Sequence, residues 1–521
     1  SYGRSSDGAL GYFAEPTPGA PNTSNQLSEM LPEPGFSAPR GFYQGPVTLV
    51  LTTVVPEAQI RYTLDKSEPT ASQGLVYDGP ITLSRSTAVR AALFKPGFLP
   101  SETVTHSYMI DVRVRRQGLP VLSLVTDQEN LFGRTGIMET NPRNTSKRGR
   151  AWERPVSVEY FLADGTSVFQ IDAGLRIQGG NYVRDRYNPN GGLPFSKYSF
   201  RLYFRGDYGA SELTYPLIPR SPATAYKQIV LRAGMNDHSD PFVVDELVRR
   251  LSGDMGQVSS QGMQVALYIN GAYKGYYNPT ERIDEDFLDT WQGGQGAYDI
   301  IAQFGEVREG NTVEWNRLKQ ALNRDLSIPS NYQAATEQID IDAFIDYLLL
   351  NIYVGTRDWP HNNWRAARER VEGAKWRFYV WDAEWSFFNQ GGAVNRNTLR
   401  NELAVNQDIA RFYQALSKNG DFRTRFADRV HQHMFGDGAL TDANILQRFE
   451  ELRDELAPLK RINGNIATSW IPRRRGFVLD HLAQEGLFLH EDVPNFSQDP
   501  GSVPSGQLQL ASAGGEIYYT L

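Results

Sequence analysis

Cysteine is absent from the 521 residues, which excludes disulfides, thiolate metal sites and a cysteine nucleophile together and leaves the redox compartment open. No apolar run approaches the roughly 18 residues that a membrane-spanning helix needs. Basic charge is not in excess either. The 53 Lys and Arg stand against 60 Asp and Glu, a formal net charge of -7, and no Arg-rich tract or basic stripe marks a nucleic-acid surface. Aromatic residues are plentiful, 12% of the chain with 26 Tyr and 9 Trp, as suits β-rich modules or sugar-facing surfaces. The length fits roughly two to four domains, one of them large enough for a deep core. The first residue is Ser1, without Met or signal peptide, and Leu521 falls in mid-pattern, so the chain is expected to be a piece of a longer or processed polypeptide.

Residues 1–38 are rich in Gly, Pro, Ser and Asn and read as an extended segment (1–24) followed by a linker (25–38). Over 39–111 short β runs recur between turn signals such as Asp65-Lys66-Ser67-Glu68-Pro69-Thr70 and Lys95-Pro96-Gly97, which predicts a small antiparallel sandwich. Gly515-Glu516-Ile517-Tyr518-Tyr519-Thr520-Leu521 echoes Ala58-Gln59-Ile60-Arg61-Tyr62-Thr63-Leu64, so 491–521 is expected to be a linker and the truncated start of a second such module.

From Arg113 the pattern changes. Leu119–Val125, Val156–Phe161, Ala173–Ile177, Ser199–Phe204 and Gln228–Arg232 read as strands, and Asn270-Gly271 between Gln264–Asn270 and Tyr273–Tyr277 is a strong hairpin signal. A polar loop from Gly179-Gly180 to Gly191-Gly192 precedes Lys197 and Arg201. Strand, glycine loop and strand with a lysine is one way to cradle phosphates; the same glycines suit an ordinary hairpin equally well. Helical spacing runs over Asp240–Ser252 and dominates the later chain, as in Ile445, Phe449, Leu452, Leu456 and Leu459.

The richest stretch for chemistry is Asp340–Phe388. Ile341, Phe344, Ile345, Leu348, Leu349 and Ile352 predict a buried helix capped by Asp340 or Asp342. Thr356-Arg357-Asp358-Trp359-Pro360-His361-Asn362-Asn363 follows as a polar elbow, with Pro360 expected to end the helix. Trp376–Trp381 reads as a strand with Asp382 at its end and Glu384 on the same face if the strand continues. Asp, then Asn five residues on, then a strand-end Asp is the order of protein-kinase-like phosphotransferases; Asp, Asn and Pro are also ordinary turn residues.

Several blocks in one order carry a specific resemblance. Leu119-Pro120-Val121-Leu122-Ser123-Leu124-Val125-Thr126, Arg176-Ile177-Gln178-Gly179-Gly180, Ser199-Phe200-Arg201-Leu202-Tyr203-Phe204-Arg205, Leu231-Arg232-Ala233-Gly234, Glu281-Arg282-Ile283-Asp284, Asp358-Trp359-Pro360 with Asn362-Asn363, and Trp381-Asp382 resemble the CotH kinase family, over about 112–490. Ile60-Arg61-Tyr62-Thr63-Leu64-Asp65 and Tyr77-Asp78-Gly79-Pro80-Ile81 resemble the chitobiase C-terminal-type immunoglobulin-like module, and Ser1-Tyr2-Gly3-Arg4 with Thr17-Pro18-Gly19-Ala20-Pro21-Asn22 the end of a lamin-tail-type domain.

The resemblance implies an α+β protein, a two-lobed atypical kinase-like domain with an immunoglobulin-like sandwich on its amino-terminal side. It implies ATP and Mg, with Mn or Ca as alternatives, and transfer of the γ-phosphate to Ser or Thr hydroxyls of a secreted or surface protein. By position Asp358 matches the catalytic acid, Asn363 and Asp382 the metal-holding residues with Glu384 beside them, Lys197 and Arg201 the phosphate side, and Glu281 the nucleotide-contacting segment. Two positions depart from the family pattern: Tyr198 where a second Lys is common, and Glu384 where a second Asp is common. Expected company is a protein substrate or a matrix or cell-surface component, glycan contact through the β modules, no nucleic acid and no transmembrane segment, in a secreted or surface protein of a bacterium. A catalytically silent, metal-binding adhesion protein on the same scaffold is the alternative. A glycoside hydrolase using Asp358 and Asp382 is a third reading to which the resemblance adds nothing.

Overall fold

Alternating apolar residues shape the first part of the chain. The structure, a computed structural model, describes residues 2–13, 17, 19–22, 26–111, 118–180, 197–237, 242–294, 296–458, 462, 464–488, 495–496 and 509–511. Thr87–Phe94 is the centre of a five-stranded sheet, antiparallel to Gln59–Thr63 and Val104–Ile110. Ile81–Leu83 pairs with Val47–Leu49 in a separate sheet. Val47, Leu49, Ile60, Leu83, Val89, Ala91, Leu93 and Tyr108 from these strands share one core. One edge departs from the expected antiparallel pattern, because Gly41–Tyr43 runs parallel to Val104–Ile110.

Of residues 25–38, expected as a linker, the described 26–38 are laid onto this module. Gly35–Phe36 pairs with Leu51–Thr52, the Ser28 and Leu31 N–H groups donate to Gly97 and Leu99 oxygens at 2.9 and 3.0 Å, and Leu31 enters the core. Burying a side chain of that size is worth about 1.5–3 kcal/mol, which helps offset the ordering of a Pro- and Gly-rich segment. The echo at Gly515–Leu521 lies outside the described residues.

Seven strands follow: β1 (Val121–Val125), β2 (Arg154–Phe161), β3 (Ser167–Gln178), β4 (Ser199–Tyr203), β5 (Gln228–Arg232), β6 (Val265–Ile269) and β7 (Ala272–Thr280). They close into a barrel in the order β1, β2, β3, β4, β5, β7, β6, with β6 parallel to β1 and the other neighbours antiparallel. Leu122, Leu124, Val156, Val158, Leu175, Phe200, Leu202, Leu231, Val265 and Leu267 meet in one core, so side chains fill the interior. At the β6–β7 turn Asn270 and Gly271 take φ of 52° and 78°, the left-handed pair a two-residue hairpin requires. The expected glycine loop falls mostly on 181–196, outside the described residues.

The outer face of the barrel carries the amino-terminal β module. Val121, Phe161, Ala266 and Tyr268 cluster with Met109 and Phe42. Beside them Glu159 is fully buried and accepts from the Ser107 N–H at 2.9 Å, while Ser107 and Ser123 hydroxyls meet at 3.1 Å. Glu159 Oε2 and the buried Nη1 of Arg40 have no hydrogen-bond partner.

These elements, with Ser260–Gly293 and Glu451–Ile462, form one of two compact units. The other contains α1 (Val244–Asp254), a four-stranded sheet of β8 (Tyr298–Ala302), β9 (Glu306–Glu309), β10 (Trp364–Glu369) and β11 (Arg377–Val380) in the order β9, β8, β10, β11, and helices that include α2 (Ile341–Val354), α3 (Gly420–Met434) and α4 (Ile471–Gln484). Every residue of α2 except Asp342 is buried, and Asp340 caps it by accepting from the Ala343 N–H at 3.2 Å. Asp346 on α2 accepts from Arg429 Nε on α3 and from Gln257 Nε2, each at 2.6 Å, with His433 Nε2 at 3.0 Å. The helix stops at Gly355, not at Pro360: Gly355 has φ of 67° and its N–H donates to Asn351 O, the left-handed ending that glycine adopts without steric cost.

Burial pushes the Glu159 carboxyl above its ordinary 4.5. The folded protein then holds that proton more tightly than the unfolded chain does, so this group's stabilising contribution is present below pH 4.5 and is lost as the pH rises through the folded value. Glu159→Gln keeps an acceptor for Ser107 without a buried charge. It is expected to raise the thermal midpoint at pH 8 and leave it nearly unchanged at pH 4.5, in melts followed by circular dichroism; an equal shift at both pH values would contradict the burial of an ionisable carboxyl in this seam.

Candidate functional site

α2 delivers the elbow, and a lattice of bonds fixes it. Arg474 on α4 is buried beneath the helix end, where its guanidinium donates to the carbonyls of Ile352 (2.5 Å), Tyr353 (2.7 Å), Val394 (2.6 Å) and Arg396 (2.8 Å). A helix C-terminus leaves its last carbonyls unsatisfied and negative, so a cation there satisfies both needs. Burial pulls the Arg474 guanidinium down to about 10, which leaves it charged at neutral pH. Buried Trp359 donates Nε1 to the Tyr347 hydroxyl at 2.6 Å, and Trp364 donates to Pro360 O at 3.0 Å.

Asp358 stands on this support, half-buried. Its Oδ2 accepts from Asn363 Nδ2 at 3.0 Å; its Oδ1 accepts from Asn362 Nδ2 at 3.0 Å and has His361 Nε2 at 3.0 Å. Asn363 takes φ of 58°, one of the few non-glycine residues that enter the left-handed region readily. It directly precedes β10, whose Trp364 lies opposite Val380 of β11. Asp382 is two residues beyond Val380, so the register sets Asn363 and Asp382 at the same end of adjacent strands, which run about 5 Å apart.

A second link closes the arrangement. The Arg357 N–H donates to Trp385 O at 3.1 Å and the Phe387 N–H to Val354 O at 2.7 Å, while Thr356 and Ser386 hydroxyls meet at 3.0 Å. The elbow is thus stitched to the segment that follows β11, and Asp358, Asn363, Asp382 and Glu384 come into one neighbourhood. One expectation changes. The strand ends at Val380 and Asp382 has φ of 59°, which breaks strand alternation, so Asp382 and Glu384 are not successive positions on one face. Asp382 is half-buried, whereas Glu384 is 6% exposed.

Lys197, Arg201 and Glu281 belong to the barrel unit and hold separate sets of partners. Lys197, 7% exposed, donates to Tyr276 O at 2.5 Å and lies over the rings of Tyr277 (4.5 Å) and Phe242 (5.4 Å). Arg201 alternates with core residues Phe200 and Leu202 and is therefore on the outer face of the barrel wall. There it donates to Gln178 at 3.0 Å and Gln228 at 3.4 Å. Burial, then the neighbouring Arg282 and Arg176, pull its guanidinium down to about 9. Glu281 is buried and accepts from Ser221 Oγ (2.5 Å), Gln261 N (2.8 Å) and Trp291 Nε1 (3.2 Å). With Lys227, Gln228, Arg282 and Asp284 it lines a cavity of about 340 Å³.

Sequence reasoning assigned no individual role to His361, Asn362, Arg474 or, on α1, Asp245. His361 and Asn362 were legible as neighbours of Asp358. Asp245-Arg249 and Glu246-Arg250 stand at the four-residue spacing of helical ion pairs, a signal that does not distinguish a solvated face from a buried network.

A family model described as CotH kinase protein matches residues 186–466, more than half of the chain, and the model of the chitobiase/beta-hexosaminidase C-terminal domain matches residues 38–106. Among solved structures the chain is similar to the Helicobacter pylori proinflammatory kinase CtkA, with 12% identity and a TM-score of 0.24 over 53% of this chain and 88% of that one. No curated protein matches.

Replacing Arg474 with Met preserves much of the side-chain bulk but leaves the buried carbonyls without donors. The variant is expected to lose on the order of 3 kcal/mol, since hydrogen bonds to a charged group are worth about 1.5–3 kcal/mol each. Urea unfolding followed by tryptophan fluorescence checks this; a midpoint within error of the parent protein would show that Arg474 does not hold the helix end.

Proposed function

The chain belongs to the CotH kinase protein family, and from that premise we propose that it is a metal-dependent protein kinase that transfers the γ-phosphate of ATP to a Ser or Thr hydroxyl of a secreted or cell-surface bacterial protein. The observation that carries the reading is Asp358, braced by Asn362 and Asn363 and stitched through the elbow to the segment bearing Asp382. In this reading Asp358 accepts the proton of the attacking hydroxyl, and Asn362, Asn363 and His361 hold its carboxylate in place.

The residues present fit a hard cation. Once Asn363 Nδ2 has donated to Asp358, its Oδ1 is left as an acceptor on the other branch of the amide. With the Asp382 carboxylate it gives an oxygen donor set suited to Mg, or alternatively Mn or Ca, with Glu384 beside it. Among the described residues no group of three or more His, Cys, Asp or Glu forms a ready-made cage. That agrees with magnesium, which takes few protein ligands and completes its shell from water and phosphate. Bound there, the ion would supply charge that neutralises the phosphate oxygens. Lys197, Arg201 and Glu281 are assigned to the nucleotide side on position in the family pattern alone.

The finer architecture belongs to the same proposal: a two-lobed kinase-like body over 112–490, an immunoglobulin-like module over 39–111 with glycan contact, the end of a lamin-tail-like domain over 1–24, and the start of another β module over 491–521. The match at 38–106 supports the glycan-associated setting. Among the described residues no helix is long and apolar enough to cross a membrane.

Incubating the purified protein with radiolabelled ATP tests the assignment. Asp358→Asn is expected to bind magnesium nucleotide normally and to lose about 10²–10⁴-fold in transfer; Asp382→Asn is expected to weaken metal-dependent nucleotide binding by tenfold or more, on the order found for groups that support a metal site. Wild-type protein that neither binds ATP nor labels itself or a casein-like acceptor would overturn the proposal.

A further inference from the structure

Asp382 occupies the left-handed region with φ of 59°. Asp, like Asn, enters that region more readily than other non-glycine residues, and a neighbouring contact selects it here. The next residue shows what does so. The Ala383 N–H donates to Asp245 Oδ1 at 2.7 Å, a charge-assisted bond between helix α1 and the turn that leaves β11. Asp245 is only 4% exposed.

Asp245 is itself clamped. Its Oδ2 accepts from Arg249 Nε at 2.9 Å, Arg249 Nη2 reaches Glu246 Oε2 at 2.8 Å, and Glu246 Oε1 accepts from Arg250 Nε at 3.0 Å. All four of these charged side chains are buried. Buried ion pairs are poor sources of stability, because the desolvation cost offsets their attraction. Such a network does, however, leave each member little freedom to turn. It therefore presents Asp245 Oδ1 at a fixed place, and the backbone after Asp382 has to come to it.

We propose that Asp245 is a positioning residue for the site: by holding the Ala383 N–H it fixes the backbone from which the Asp382 carboxylate is presented, and so sets the affinity for the metal. This inference rests on the reading of Asp382 as a metal-holding residue. What matters is an acceptor atom at that place, not the negative charge.

Two substitutions separate these properties. Asp245→Asn removes the charge and keeps one acceptor oxygen of the same reach for the Ala383 N–H, with its amide Nδ2 in place of the oxygen that accepts from Arg249, which retains Glu246. Asp245→Glu keeps the charge and displaces the acceptor by one methylene. Binding of a fluorescent ATP analogue is measured at rising magnesium concentration and also without metal, with circular dichroism to confirm folding. Asp245→Asn is expected to stay within about twofold of the wild type. Asp245→Glu is expected to need about tenfold more magnesium, the order of loss seen when a group supporting a metal ligand is moved, with metal-free nucleotide binding unchanged. If the glutamate variant does not fold, Asp245→Ala, which removes the acceptor for the Ala383 N–H, takes its place with the same tenfold expectation. Wild-type magnesium dependence in a folded Asp245→Glu or Asp245→Ala overturns the role of Asp245 and leaves the kinase reading intact; a tenfold weakening in Asp245→Asn overturns the claim that the charge is dispensable. Wild-type protein indifferent to magnesium overturns that reading and this role with it.

Discussion

Arg357 N–H to Trp385 O and Phe387 N–H to Val354 O join two stretches that α2 and β11 deliver separately. Without them the elbow and the segment after β11 would each be a surface turn rich in polar residues. With them, Asp358 and Asp382 belong to one local structure. Its framework lies beneath it: Arg474 holds the carbonyl end of α2, and Trp359 and Trp364 lock the elbow through their indole N–H groups. The arrangement spends rigid, buried groups on a few half-buried ones. Such support is what the proposed proton transfer and phosphate positioning would require.

The barrel unit uses a different economy. Its interior is filled by alternating apolar residues from β1 to β7. Arg201, Lys197 and Glu281 are all buried yet all outside that core, each satisfied by local partners. The amino-terminal β module covers another part of the wall, where its Phe42 and Met109 meet Phe161, with Glu159 buried in the seam. An ionisable group in such a place is expected to make the attachment respond to pH, which an apolar seam would not.

Much of this was legible in the sequence. The Asn270-Gly271 turn was, because only residues tolerant of positive φ suit a two-residue hairpin. The buried helix with its Asp340 cap was also, because apolar periodicity and capping chemistry are local. The strands of the barrel were legible but their closure was not, since the parallel pairing of β6 with β1 joins segments far apart in the chain. In the site, Asp358 and Asn363 lie five residues apart and could be read as a pair, and Asp382 came into view through the strand before it. What sequence did not reveal was that α2 would end at Gly355, that Asp382 would turn left-handed and remove Glu384 from its face, or that Asp245 would reach the next N–H. Each depends on tertiary contacts that leave no periodic trace. Residues 25–38 were misleading for a related reason: composition spoke for a linker, and the single well-placed Leu31 did not register.

The central claim is that Asp358, Asn363 and Asp382 form one oxygen-lined site for a metal and a phosphate. The most direct measurement is a crystal structure with manganese and a non-hydrolysable ATP analogue, read by anomalous scattering. A manganese peak bonded to an Asp382 carboxylate oxygen and Asn363 Oδ1, with the terminal phosphate beside Asp358, is the result expected. A nucleotide bound with its metal away from all three residues would contradict the account.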